Sequence, residues 1–333
     1  MIRVYTDPAC LDHRAPPGFP EKPERLAGVL SRLRESGWPL AEAAAEETIP
    51  ETARQAVTAL HDEGYVARFE RAVSRGDSLL DSADNPLSPG TWKAAWAAVS
   101  ATLAAADWMA GGEDRVALAA VRPPGHHAER SVAMGFCFFN NVAVAAEHLR
   151  RRHGASRVAI FDFDVHHGNG TQHLFEARAD VFYASTHQYP FYPGTGAADE
   201  TGVGEGEGAT LNVPLPAGTG DDGYAEAIRQ RILPALRRFT PDALLLSAGF
   251  DAWRNDPLGG MQVTEQGFRS WGHWLRELAA EVCGGRILAV LEGGYDLRNL
   301  PLLVEAHLEG LGGGRPAATA RPVGEMQRIA ERR

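Results

Sequence analysis

The sequence predicts an α/β protein of three layers, a mainly parallel sheet flanked by helices. Short apolar runs rich in β-branched residues alternate with stretches of helical periodicity, and polar clusters follow several of the runs directly. The runs lie at residues 3–5, 116–121, 158–163, 181–185, 243–247 and 287–291. They are near-continuously apolar rather than alternating, as strands covered on both faces must be. The helical stretches cover 91–109, 141–153, 222–239, 264–282 and 297–308. Single α/β domains reach this length of 333 residues, so one domain over 1–333 is expected. Residues 312–333 form its tail, opened by the linker-like G-G-G-R-P-A-A-T-A-R-P.

Acidic residues outnumber basic ones, 43 to 33, for a formal charge of −10 and a pI near 5.7. That balance disfavours nucleic acid or an anionic membrane as a partner and suits small or cationic ligands. Cys10, Cys137 and Cys283 form no C-x-x-C pair, so neither a disulfide framework nor a thiolate zinc site is expected. No basic, apolar, small-residue succession opens the chain, and no apolar run approaches the roughly 20 residues of a membrane span. A soluble, cytoplasmic protein is expected, with oligomerisation left open.

Sheets of this class take ligands beyond the carboxyl ends of their strands. After Val121 comes R-P-P-G-H-H; Phe161 and Phe163 interleave with D-F-D-V-H-H-G-N-G; after Leu246 comes S-A-G-F-D-A; after Leu291 comes E-G-G-Y. Asp164 and His166 stand two apart at a strand end, so alternation points both side chains one way and Val165 the other. One imidazole and two carboxylates with an open position make a catalytic zinc site. Asp251 is the natural third ligand, although no short spacing ties it to His166. His126 and His127 follow two prolines; a base with its electrostatic partner, a second metal site and plain loop residues all fit their spacing. Tyr295, behind Gly293 and Gly294, is placed to donate a phenol proton to an oxyanion, and a plain strand-to-helix turn explains E-G-G-Y equally well. The glycine-rich run over 202–208 opens no helix and carries phosphate-repelling glutamates, so it reads as a mobile loop.

The motifs R-P-P-G-H-H-A, G-F-C-F-F-N-N-V-A, D-F-D-V-H-H-G-N-G-T-Q, F-Y-P-G-T-G, S-A-G-F-D-A, D-P-L-G-G and L-E-G-G-Y follow one another in this order. With them the chain, from about residue 20 to about residue 312, resembles the zinc-dependent histone deacetylase family, which includes acetylpolyamine amidohydrolases and acetoin-utilisation proteins. It is most similar to the class II branch. The resemblance implies an arginase/deacetylase-like fold and one zinc per chain held by Asp164, His166 and Asp251. It also implies that His127 acts as general base and then acid, with His126 as its electrostatic neighbour, and that Tyr295 stabilises the oxyanion together with zinc. By the same resemblance Asp162 orients His126 and helps hold a structural potassium ion, with Ser185 and main-chain carbonyls of Asp164, His166 and Thr186. Asn169 stands where class I relatives carry aspartate, as in class II.

Gly135, Phe136 and Tyr192 match the family's narrow acyl-lysine tunnel, whereas Phe138 and Phe139 are expected in the core. Leu258 occupies the place of the acidic gatekeeper of polyamine-selective relatives, and the stretch 75–88 is short where bacterial acetylpolyamine amidohydrolases carry a long insertion. Both features favour an acyl-lysine peptide or protein as substrate over a small acylated amine. Asp81, Ser82 or Asp84 is expected to meet the substrate backbone at the rim. A binuclear manganese ureohydrolase would need further bridging aspartates, of which A-G-F-D-A-W supplies one. A binding module without turnover would need a broken catalytic set, and here it is complete.

Overall fold

The computed structural model describes residues 1–42 and 49–312, so the expected tail beyond Gly312 lies outside the described residues. Its strands in chain order are β1 (Ile2–Thr6), β2 (Leu40–Glu42), β3 (Leu79–Leu80), β4 (Ser82–Pro86), β5 (Val116–Ala119), β6 (Val158–Asp162), β7 (Val181–Gln188), β8 (Thr210–Leu215), β9 (Ala243–Ala248) and β10 (Ile287–Leu291). β3 and β4 form an antiparallel hairpin within the stretch 75–88. The others form an eight-stranded sheet in the order β2-β1-β5-β10-β9-β6-β7-β8, parallel at every pairing. Each run expected as a strand enters this sheet, and β5, β6, β7, β9 and β10 are buried along their whole length.

The outermost strands escaped the sequence pattern because an edge needs less apolar surface. β2 is a half-exposed L-A-E, and β8 contains Pro214, whose missing N–H is tolerated on an edge strand.

The helices are α1 (Pro23–Glu35), α2 (Glu51–Thr58), α3 (Glu63–Arg75), α4 (Thr91–Ala110), α5 (Asn141–His153), α6 (Asn169–Phe175), α7 (Asp221–Ala227), α8 (Leu233–Phe239), α9 (Glu265–Val282) and α10 (Leu300–Gly312). A π-helical turn, Ile228–Ile232, joins α7 to α8, so the stretch expected over 222–239 is helical throughout. α5 starts where Asn140 Oδ1 accepts the Ala143 N–H at 3.1 Å and stops at Gly154, which adopts the left-handed φ of 68° that ends helices. α10 begins three residues later than its periodicity suggests. Asp296 Oδ1 accepts the N–H groups of Arg298 (3.1 Å) and Asn299 (3.2 Å), holding that stretch in a turn first. α4 packs on α5, and α10 on both α9 and α1. Among the described residues no helix is long and apolar enough to cross a membrane.

The glycine-rich loop is pinned rather than free. It carries a 3-10 turn, Gly204–Gly206, and Val203 donates to the Glu176 carbonyl at 2.7 Å, while a side chain at Gly202 or Gly206 would collide with backbone.

Candidate metal centre and its histidine pair

The sheet order sets β5, β10, β9 and β6 side by side, so the polar segments that follow them meet in one place. β6 stops at Asp162 and the chain then bends through Asp164, Val165 and His166. This bend, not the expected strand alternation, brings Asp164 and His166 together. His166 Nδ1 lies 3.0 Å from Asp164 Oδ1, which also accepts the His166 backbone N–H at 2.9 Å. Val165 is buried, and its N–H donates to Asp251 Oδ1 at 2.9 Å. Asp251, just past β9, thereby reaches the β6 loop and brings its Oδ2 to 3.2 Å from His166 Nδ1. From the end of β10 the Gly293 N–H donates to Asp164 Oδ2 at 2.8 Å. Only glycine fits at 249 and 293, because a Cβ would collide with a carboxylate oxygen of Asp164 or Asp251.

Asp164, His166 and Asp251 each offer one ligand atom within 4.8 Å of the others. Burial pushes the Asp251 carboxyl up and the neighbouring Asp164 pushes the same way. Burial acts on Asp164 too, but His126 and His166 outweigh it and hold that carboxyl below its ordinary value. His166 is raised to about 10: burial opposes its charge, and the two carboxylates prevail. Apart from its contact with His166, Asp251 Oδ2 is buried with no hydrogen-bond partner. Two buried carboxylates and an imidazole Nδ1 fit a divalent cation, and a sulfur-free nitrogen–oxygen set suits zinc at a catalytic site.

Beside this cluster stand His126 and His127, their rings 4.0 Å apart between centroids. Their loop leaves β5 through a cis Arg122–Pro123 peptide and is held from β10: Glu292 Oε2 accepts the N–H of Gly125 at 2.6 Å and of His126 at 3.2 Å. Different partners separate the two rings chemically. His126 Nδ1 lies 3.0 Å from Asp162 Oδ2, and although burial opposes its charge, Asp162 and Asp164 raise it to about 10. His127 Nδ1 lies 2.7 Å from Asn169 Oδ1; burial, with His126 and His166 nearby, drives it well below its ordinary value. The surroundings thus push the two rings in opposite directions, His126 toward its charged form and His127 toward its neutral one, the division expected of an electrostatic partner and a base.

Tyr295 is buried, its ring edge-on to Phe136 at 5.8 Å and under the Arg25 guanidinium at 4.6 Å. Its N–H donates to Asp256 Oδ2 at 2.6 Å, and burial holds the phenol well above its usual range. Arg25 also bonds the main-chain oxygens of Gly294 (2.6 Å) and Glu292 (2.5 Å). Tyr192 stands edge-on to His127 at 5.2 Å, so Phe136 flanks the tyrosine and Tyr192 the histidine. Phe191 stacks on His166 at 5.4 Å. Gly135 precedes Phe136 with φ 56°, close against the His127 ring, and its N–H donates to Asp84 Oδ2 at 3.0 Å. Asp84 Oδ2 also accepts from the Tyr192 hydroxyl at 2.9 Å. Of the rim candidates Asp84 is thus joined to the aromatic wall, whereas Asp81 pairs with Arg68 and accepts the Ala133 N–H, and Ser82 bonds Asp84. Leu258 sits half-buried on the loop after Asp251, its N–H donating to Asp256 Oδ1 at 2.9 Å. Phe138 and Phe139 are core residues, Phe138 stacked on Phe69 at 4.9 Å.

The residues expected around potassium are adjacent. Asp162 and Ser185 are partners in the β6–β7 register, Ser185 Oγ lies 2.9 Å from His187 Nδ1, and Thr186 follows with its hydroxyl buried and unpaired.

Glu292, Arg25 and Asp256 were missed from sequence. A carboxylate ending a wholly apolar strand was the available signal for Glu292. Arg25 lies in an unrecognised helix, far along the chain from the residues it supports, and Asp256 was overlooked in D-P-L-G-G in favour of Leu258.

A model of the histone deacetylase domain matches residues 19–311. The chain is 43% identical to "Histone deacetylase 14, chloroplastic" of Arabidopsis thaliana over 251 residues, 72% of this chain and 59% of that protein. It therefore spans less than two thirds of that relative. Among solved structures, the HDA15 HD domain superposes with a TM-score of 0.85 at 36% identity, covering 95% of this chain and 90% of that one. An acetylpolyamine aminohydrolase from Burkholderia pseudomallei gives 0.83 at 34% identity, covering 95% and 100%.

Proposed function

The chain belongs to the histone deacetylase family, and from that premise we propose that it is a zinc-dependent amidohydrolase cleaving the side-chain amide of N-acyl-lysine. The observation that carries this reading is His127, its Nδ1 tied to Asn169 Oδ1 and its ring 5.9 Å from that of His166, set beside the buried Asp164–His166–Asp251 donor cluster. Bound to those three ligands, zinc supplies a Lewis acid that polarises the acyl carbonyl and acidifies water.

The chain's own groups do the rest. Asn169 Nδ2 donates to Glu129 Oε1 at 2.5 Å, which turns Asn169 Oδ1 toward His127 and makes it the acceptor for His127 Nδ1–H. The lone pair of His127 is then on Nε2, where it takes a proton from the attacking water and later gives it to the leaving amine. The Tyr295 hydroxyl, kept protonated by burial, donates to the oxyanion of the tetrahedral adduct. His126, fixed by Asp162, supplies positive charge beside the reaction. Phe136 and Tyr192, with Gly135 against the His127 ring, grip the methylene stem of lysine, and Asp84 accepts a substrate backbone N–H at the rim. Potassium held by Asp162, Ser185 and the main chain at Thr186 belongs to the same reading.

Leu258 offers no charge for a second ammonium group, which favours lysine. The similarity to an acetylpolyamine aminohydrolase makes a small acylated amine the alternative. A cytoplasmic setting accords with Cys10, Cys137 and Cys283, all free and buried. The test is a panel of acyl chains on lysine peptides and on acetylated polyamines, with and without chelator. Chelator-sensitive turnover of a lysine peptide is expected; preference for acetylputrescine over every peptide sinks the substrate, and absence of any turnover sinks the activity.

A further inference from the structure

A second cluster of metal-ligating side chains lies at the far end of α5. This helix starts beside the histidine loop, where Asn140 Nδ2 lies 3.4 Å from the His126 carbonyl. Its 13 residues then carry the chain about 20 Å to His153, shortly before β6 begins. α4 likewise ends shortly before β5 begins, so its last turn, with Asp107, sits at the amino-terminal ends of the strands, opposite the Asp164–His166–Asp251 cluster. There Asp107 Oδ1 lies 2.6 Å from His148 Nε2 and 2.7 Å from His153 Nε2. The two rings meet edge to face, 5.6 Å between centroids and 65° apart, so their Nε2 atoms converge without stacking. The carboxylate oxygen and the ring nitrogens lie within 4.8 Å of one another. His148 is buried, whereas Asp107 and His153 open to solvent, which leaves room for water on a bound ion.

We propose that Asp107, His148 and His153 form a second divalent-cation site that takes zinc or a similar first-row ion and ties α4 to α5. Two imidazoles and one carboxylate with an open side are a donor set such ions favour. With its proton on Nδ1, an imidazole presents the Nε2 lone pair to the ion. The donors separate only slightly to accept bonds of about 2.0–2.1 Å each. His153 ends α5, where the unpaired helix carbonyls favour a cation. Of the neighbouring arginines, Arg150 pairs with Asp180 and Arg151 with Glu147, which leaves Arg152 as the cation whose repulsion a bound ion has to outweigh.

The site bears on how a metal count is interpreted. Two ions per chain would ordinarily suggest a binuclear catalytic centre, and here the second has its own ligands on other elements. The test is calorimetric titration of the zinc-loaded protein with Zn2+, together with metal analysis. We expect a second ion in the wild-type protein, bound about a hundredfold more weakly by Asp107→Asn and by His153→Ala. Both variants should keep the first ion and turnover, while Asp251→Ala keeps only the second. Zinc should also raise the thermal midpoint of Asp251→Ala but not of Asp107→Asn carrying the first ion. A single ion in the wild-type protein, or an undiminished second ion in either variant, overturns the site; loss of turnover in Asp251→Ala alone speaks only to the catalytic reading.

Discussion

Asn169 accepts at Oδ1 from His127 Nδ1 across 2.7 Å while its amide nitrogen is held 2.5 Å from Glu129 Oε1. Aspartate at this position would add a negative charge beside His127 and raise its pKa. The base works deprotonated, so a raised pKa moves the acidic limb of kcat/KM to higher pH, by about one unit. Glu129 complicates the single substitution, because two carboxylates at that separation share a proton and blunt the new charge. Asn169→Asp with Glu129→Gln restores a donor opposite the aspartate, so the double variant should shift further than the single one. Glu129 also holds His173 at 2.8 Å, and Glu129→Gln alone is the control. A pH profile of the double variant superimposable on that control removes His127 as the titrating base.

Glu292 tests how the histidine loop is held. Its Oε2 is the acceptor for two consecutive N–H groups, of Gly125 and His126. Glu292→Ala leaves both buried donors unpaired, at about 1–3 kcal/mol each, and should lower kcat more than it raises KM. Glu292→Gln keeps an acceptor and should recover most of the loss. Metal analysis separates this from ligand loss, because zinc should stay bound in both variants. Equal kcat in the alanine and glutamine variants contradicts the clamp.

Tyr295 and Asp251 should fail in different ways. Tyr295→Phe removes the hydroxyl proposed to donate to the oxyanion and touches none of the hydrogen bonds that fix the carboxylates, so turnover should fall about 10²–10³-fold with zinc retained. Asp251→Ala removes a proposed ligand and the acceptor for the Val165 N–H together, so zinc and activity should disappear in parallel. Full zinc occupancy in Asp251→Ala refutes the ligand set, and unchanged turnover in Tyr295→Phe refutes the oxyanion role.

These tests divide along the line between what the chain shows locally and what only folding brings together. The sheet was legible because β5, β6, β9 and β10 are buried along their length and so read as apolar runs, and their polar continuations mark the site. The convergence of Asp164 with His166 was right for an inexact reason, since a bend replaces the assumed strand. Asp251 reaches His166 only because β9 pairs with β6, and no spacing encodes that register. Arg25 is further from view: its bonds to Gly294 and Glu292 cross nearly the whole chain, and locally it reads as one charge on an amphipathic helix.

Leu258 carries the last prediction, the choice between acylated amines. It lies on the loop that leaves Asp251, and its N–H bonds Asp256, the carboxylate that also fixes the Tyr295 backbone. A side chain here is therefore held in register with Tyr295. A diamine substrate carries a second ammonium group that finds no counter-charge at leucine, whereas a peptide has none to place. Leu258→Glu should raise kcat/KM for acetylated polyamines relative to an acetyl-lysine peptide by about fivefold, near 1 kcal/mol and at the upper end for one exposed ion pair. The gain should shrink with added salt, because a rim charge is screened. Leu258→Gln separates charge from shape: if it changes the ratio as much as glutamate does, the selectivity comes from side-chain volume and the charge argument for lysine fails.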